Sequence, residues 1–205
     1  MVTALDSYVG KLVDTLEQKG IADNTLILFT SDNGPPKNTL YASPGILRGN
    51  KGTTLEGGMR EPTVIRWPGK IPAGKDNPEL MTTMDLLPTF ATLAGAKIPS
   101  DRIIDGKNVW PVLAGKAKTP HEKFFYPRGT QLQAVRSGKW KLHTNKGKPT
   151  QLYDLDADIG ETKNVLKANP AIAKKLQGYM KAFAADIAKN NRPAAFVKQA
   201  KPLSK

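Results

Sequence analysis

The chain has 205 residues, 39% hydrophobic and 24% charged, a balance typical of globular proteins with one substantial domain or two small ones. It contains no cysteine, which excludes disulfides and thiolate chemistry, and no apolar run approaches the roughly 20 residues that span a bilayer. The net charge is +13, but the basic residues form no zinc-finger spacing, RNA-binding signature or aromatic-interleaved stripe. Nucleic acid is therefore not an expected partner, whereas a positive field suits the steering of small anionic substrates.

Val2, Leu5, Val9, Leu12, Val13 and Leu16 recur at helical spacing and Gly20 closes the pattern. Met1 thus leads at once into an amphipathic helix, without the basic segment and apolar core of a secretory signal. The short link Ile21-Ala22-Asp23-Asn24 connects this helix to the apolar run Thr25-Leu26-Ile27-Leu28-Phe29, which reads as a buried strand. Such a helix-to-strand step belongs to an α/β fold. The strand runs into Thr30-Ser31-Asp32-Asn33-Gly34-Pro35, where Gly34 and Pro35 force a turn that carries a carboxylate beside a carboxamide. Ligands of open α/β sheets sit beyond the carboxyl ends of strands, and two oxygen donors there suit a hard cation such as calcium. An Asp-Asn-Gly turn with no ligand would show the same residues.

A long loop from Pro35 to Asn50, rich in Gly, Pro, Ser and Asn, follows; loops of that length in compact domains tend to be functional or disordered. Pro62 to Trp67 reads as a second strand ended by Pro68-Gly69, and Met84, Leu86, Leu87, Phe90, Leu93 and Ala94 as a further helix with Pro88 near its start. From about Pro120 the character changes to short β-prone runs at Phe124-Phe125-Tyr126, Leu132 to Val135, Trp140-Lys141-Leu142 and Gln151-Leu152-Tyr153. Ser137-Gly138 and Lys146-Gly147-Lys148-Pro149 punctuate them as turns. Ile172, Leu176, Tyr179, Met180, Phe183 and Ile187 then form a helical stripe that reads as core.

Between the two strands of the first half stands Asn50-Lys51-Gly52-Thr53-Thr54-Leu55-Glu56-Gly57-Gly58-Met59-Arg60-Glu61-Pro62. With the strand-borne Ser31-Asp32-Asn33-Gly34 before it, this resembles the sulfatase family, the arylsulfatase-like branch of the alkaline-phosphatase superfamily. The family pattern is S/T-D-N-G, a variable loop, then G-K-G-T-x-x-E-G-G-x-R-x-P and a strand; only Asn50, in place of the usual Gly, departs from it. Asp85-Leu86-Leu87-Pro88-Thr89 through Ala94-Gly95 matches the family's D-x-x-P-T-x-x-x-x-A-G, a structural segment expected to pack a helix on the sheet. Leu152-Tyr153-Asp154-Leu155, with Glu161 and Asn164-Val165 after it, resembles the family's C-terminal subdomain.

The resemblance implies an incomplete alkaline-phosphatase-like mixed sheet with flanking helices, followed by a small antiparallel sheet plus a C-terminal helix. Residues 1–118 are expected to correspond to the C-terminal part of the sulfatase α/β core and 119–190 to the small sheet-and-helix subdomain, with 191–205 expected as a basic, flexible tail. It further implies sulfate-ester hydrolysis, with Asp32 and Asn33 as calcium ligands and Lys51, nineteen residues beyond Asp32, contacting the sulfate. Lys51 alone would read as a solvated lysine, a compact charge with three donors. Arg60 and Glu56 are expected to fix the loop rather than touch substrate.

The family's formylglycine nucleophile, made from Cys or Ser within C/S-x-P/A-x-R, has no counterpart here, since no Ser begins such a motif; nor has its N-terminal Asp-Asp pair. Calcium takes roughly 6–8 oxygens, more than Asp32 and Asn33 supply. His121 and His143 match no family motif and are expected at the surface or a strand end. The chain therefore reads as the C-terminal portion of a sulfatase, acting on a sulfated small molecule or glycan with an N-terminal sulfatase segment as partner. The alternatives are an inactive or complementation module, or a phosphate or phosphonate ester hydrolase of the same superfamily. The full-length family protein is expected to be periplasmic or secreted. With the flanking strands missing, the isolated chain is expected to be poorly stable or self-associating.

Overall fold

The computed structural model describes residues 2–37 and 40–191 as an α/β arrangement of two compact units. The first comprises residues 1–45, 49–51 and 57–122, the second residues 46–48, 52–56 and 123–205. From residue 192 on, the expected tail lies outside the described residues. No helix among the described residues is long and apolar enough to cross a membrane.

In the first unit, α1 (Val2–Gln18) is the opening amphipathic helix, and β1 (Ile27–Thr30) is the strand that follows it. β1 pairs antiparallel with β2 (Thr63–Arg66), Thr30 opposite Thr63 and Ile27 opposite Arg66. Side chains alternate across such a ribbon, so Leu28 and Ile65 share one face, and Ile65 packs against the buried Val109, Val112 and Leu113. The opposite face carries Phe29 and Val64, 42% and 64% exposed, so β1 is not the wholly buried strand its apolar run predicts. A two-stranded sheet pairs each strand along one edge only, leaving both outer edges and one face without a strand against them.

The helix read from Met84 onward is a 3₁₀ turn (Thr83–Asp85) leading into α3 (Leu86–Leu93); α2 (Glu56–Met59) is the short helix of the glycine-rich motif. Pro88 falls in the first turn of α3, where its missing N–H costs no intrahelical bond. Asp85, fully buried, accepts the Thr82 and Lys107 amides at 2.8 Å each and holds His121 Nε2 2.9 Å from both carboxylate oxygens. Thr89 accepts the Val109 amide at 2.9 Å. The Asp-x-x-Pro-Thr segment thus ties down the chain that leads to α4 (Trp110–Leu113), and His121, with a side chain only 6% exposed, is not a surface residue.

The second unit is a four-stranded antiparallel meander, β3 (Phe124–Arg128), β4 (Gln131–Ser137), β5 (Trp140–Asn145) and β6 (Lys148–Asp154), with α5 (Pro170–Asn190) packed on it. Val135, Leu142 and Leu152 meet Ala173, Leu176 and Met180 in its core, and Phe125 stacks on Phe183 with ring centroids 4.0 Å apart. Burying each large aliphatic side chain contributes about 1.5–3 kcal/mol.

The other face of the same strands is buried too, but polar. Lys141, with no exposed surface, donates to Glu56 Oε1 at 2.7 Å and lies 3.2 Å from Glu161 Oε1. Tyr126 donates to the same Glu56 oxygen at 3.2 Å, and Arg136 stands 3.6 Å from the other. Glu161 Oε2 accepts the Glu56 amide at 2.7 Å, while its Oε1 sits 2.8 Å from His143 Nε2. His143 is therefore a buried mid-strand residue, not the strand-end residue the sequence suggests. Glu56 does fix its loop, as read from the sequence, through this unit's sheet. Glu161 takes a left-handed backbone (φ 51°), a conformation that costs a non-glycine residue free energy and is held by these bonds.

Burial pushes the Glu161 carboxyl up, but the His143 bond, the Lys141 charge and the Glu56 amide outweigh it and leave it below the ordinary 4.5. A depressed carboxyl stabilises the fold fully above its unfolded value and loses that contribution as pH falls through the folded one. Urea midpoints should fall as pH drops below 4.5, and less steeply in Glu161→Gln. At neutral pH Glu161→Gln should cost about 3–5 kcal/mol, the usual consequence of stripping one partner from a buried ion pair.

The uncovered Phe29–Val64 face and the α1 stripe (Val2, Leu5, Tyr8 and Leu12, all exposed) should make the isolated chain self-associate. Sedimentation velocity should show oligomers that diminish in Phe29→Thr/Val64→Thr; a monomeric chain with a single cooperative melt would contradict this.

Candidate functional site

Asp32 follows β1 by two residues, in a turn built from its neighbours' side chains and amides. Thr30 Oγ1 lies 2.7 Å from Thr63 Oγ1, and Ser31 Oγ donates to the Asn33 carbonyl at 3.1 Å. The Gly34 amide donates to the Gly58 carbonyl at 3.2 Å. An added Cβ on Gly34 would stand 2.0 Å from the Gly57 carbonyl oxygen and 2.9 Å from Gly58 Cα. Glycine at 34 is thus required by close backbone approach, not by torsion. The glycine-rich motif and the Ser-Asp-Asn-Gly turn are in contact.

Lys51 joins the same turn through its backbone: its amide donates to the Pro35 carbonyl at 2.9 Å. Gly52, in the left-handed region at φ 85°, turns the chain directly after it. The fold of this unit therefore brings Asp32, Asn33 and Lys51 to one turn across the long loop. The side chains of Asp32 and Lys51 are exposed, and Asn33 is half-buried. Among the described residues Asp32 makes no ion pair, and Arg60 is exposed on the surface.

A residue not singled out in the sequence feels the charge of Asp32. Glu61 is half-buried, and its Oε1 is shielded from solvent with no hydrogen-bond partner. Burial, with the neighbouring Asp32 charge second, raises its carboxyl above the ordinary 4.5. The only sequence cue was a charged residue next to Pro62, at a variable position of the motif. Among the described residues no three His, Cys, Asp or Glu side chains are grouped to hold a metal ion. The turn itself offers the Asp32 carboxylate and the Asn33 carboxamide, hard oxygens of the kind calcium takes.

Residues 1–96 match the sequence pattern described as Sulfatase, and residues 50–186 that of N-sulphoglucosamine sulphohydrolase, C-terminal. The arylsulfatase of Hemicentrotus pulcherrimus is 45% identical over 158 residues, 74% of this chain and 28% of that protein. The crystal structure of Ps i-CgsB superposes with a TM-score of 0.82 at 37% identity, over 96% of this chain and 44% of the other. A further solved structure, BT4656 in complex with its substrate D-glucosamine-2-N,6-O-disulfate, gives a TM-score of 0.68 at 27% identity, over 93% of this chain and 40% of the other. The chain spans less than half the length of each of these relatives.

Gly34→Ala should destabilise the first unit by about 1–3 kcal/mol, as overpacking against fixed backbone does. Its urea midpoint and the amide chemical shifts of residues 57 and 58 should change together; unchanged shifts would mean the contact is not made.

Proposed function

The chain belongs to the sulfatase family, and from that membership we propose that it carries part of a site for hydrolysing sulfate esters. In this reading Asp32 and Asn33 would hold a calcium ion and Lys51 would bind the sulfate. The observation that carries it is the return of the Lys51 and Gly57–Gly58 backbones to the Asp32–Pro35 turn, which collects the matching motif residues at one place.

Each residue has a task suited to its chemistry. The Asp32 carboxylate supplies an anionic oxygen and the Asn33 carboxamide a neutral one, as hard cations take. Bound there, calcium would supply Lewis-acid polarisation of an ester oxygen. Lys51, exposed and held through its backbone, can aim a compact ammonium at sulfuryl oxygens and neutralise charge that builds on them. Gly52 and Gly34 let the two segments turn and approach without side chains in the way.

The chain has no cysteine to yield a formylglycine. We therefore propose that the nucleophile comes from an N-terminal sulfatase segment acting as partner, and that hydrolysis needs both. A sulfated small molecule or glycan is the proposed substrate class. It is supported by the sulfated glucosamine bound to one structural neighbour and by the +13 charge of this chain.

The test is aryl-sulfate turnover by the chain alone and after co-expression with a formylglycine-bearing segment. Turnover is expected only in the second case. Lys51→Ala should then lower kcat/KM by about 10²–10³, the range seen when one donor to a developing oxyanion is removed. Turnover by the chain alone would overturn the need for a partner. Faster turnover of phosphate or phosphonate esters than of sulfates would replace the substrate assignment.

A further inference from the structure

We propose that the groove between the edge strand β3 and α5 binds an anionic sugar unit, a pyranose ring that carries a sulfate or carboxylate group. The groove lies wholly within the second unit, and its ligand is independent of the reading given to Asp32, Asn33 and Lys51.

The groove is built from one helix face and the start of one strand. Tyr179, Ala182, Phe183 and Asp186 recur at intervals of three and four residues, so they share a face of α5. Opposite them stand Lys123 and Phe125, the latter on β3 and stacked on Phe183 with rings 8° from parallel. The six residues line a cavity of about 240 Å³. That is below the roughly 300–1,000 Å³ of pockets for drug-sized ligands and suits a single ring. At 1.5 Å per helical residue, Tyr179 and Asp186 mark positions about 10 Å apart along it.

The two ends of the groove differ in charge. Lys123 Nζ lies 4.2 Å from the centre of the Tyr179 ring, and Nζ of Lys175, one turn earlier on α5, lies 5.9 Å from it. Neither ammonium forms an ion pair among the described residues, so this end favours an anionic group. At the other end Asp186 accepts from Asn190 Nδ2 at 2.7 Å, and its exposed carboxylate remains an acceptor for hydroxyls. Half-buried Phe125 and Phe183 leave apolar ring surface between the two. A sugar ring offers C–H groups to such surface and hydroxyl donors to Asp186, and an anionic substituent meets Lys123. A neutral sugar would leave the ammonium end unmet, and a small inorganic anion would leave the rings and Asp186 without a contact.

The experiment is a titration of the full chain with N-acetylglucosamine 6-sulfate and with glucuronic acid, followed by amide chemical shifts. Neutral N-acetylglucosamine and Na₂SO₄, at matched ionic strength, are the comparison arms. The two anionic sugars should move the resonances of residues 123–126 and 179–186 and bind more tightly than either comparison compound. Lys123→Gln should weaken their Kd about tenfold, as the loss of a charge-assisted hydrogen bond does. Lys123→Arg, which keeps the charge, should bind better than Lys123→Gln. Lys181→Gln, an exposed lysine of α5 outside the groove, should bind as the parent does.

Equal weakening by Lys123→Gln and Lys181→Gln would mean diffuse attraction to a basic surface and would overturn the site. Neutral sugar binding as tightly as the anionic ones would overturn the ligand class, as would Na₂SO₄ saturating the same resonances with equal affinity. Shifts of residues 123–126 and 179–186 that grow with protein concentration and persist in sugar would assign the groove to a second copy of the chain. No response to either anionic sugar would overturn the proposal outright.

Discussion

Two backbone segments meet with nothing between them where Gly34 faces Gly57 and Gly58. A single methylene on residue 34 would stand 2.0 Å from a carbonyl oxygen, inside any permitted contact. That absence of side chains lets the Asp32–Asn33 turn lie against the Glu-Gly-Gly motif. The Gly34-to-Gly58 bond and the Lys51-to-Pro35 bond then fasten the long loop at both ends. Every side chain proposed to act in sulfate-ester hydrolysis hangs from that junction. Backbone hydrogen bonds hold the junction, and the Asp32 and Lys51 side chains stay exposed beside it.

The second unit meets a different constraint. A four-stranded sheet has two faces, and only one finds an apolar helix to cover it, through Leu142, Leu152 and Leu176. On the other face the buried side chains are charged, and they are tolerable only as a set. Two glutamates are balanced by Lys141 and Arg136, with a tyrosine hydroxyl and a histidine sharing the two oxygens that Lys141 meets. Removing one member strands the others in a region of low dielectric, which is why such networks fail as units. The left-handed backbone of Glu161 shows how strongly its place is determined by partners far away in sequence.

The local pattern was legible where one short-range rule dominated. Helical spacing in α1 and α5, the turn residues between β4, β5 and β6, and the apolar runs of β1 and β2 all report the chain's own preferences. The two histidines were not legible in this way. His121 and His143 have ordinary polar neighbours in sequence, and their burial depends on Asp85 and Glu161, 36 and 18 residues away. Phe29 was misread in the opposite sense. An apolar run says that a strand prefers burial, but whether a face is covered depends on what lies across it.

By itself the sequence determined the element types, the motif order that places the chain in its family, and the identity of Asp32, Asn33 and Lys51 as candidates. The element types follow from residue type and spacing, while the family resemblance is what marks Lys51 as a candidate. The tertiary structure alone decided that Gly34 is needed for contact and that Glu56 and Lys141 are one buried pair. The physical reason is that pairing register, close approach and desolvation are properties of two segments at once. A linear pattern records the preferences of each segment but not the partner it meets.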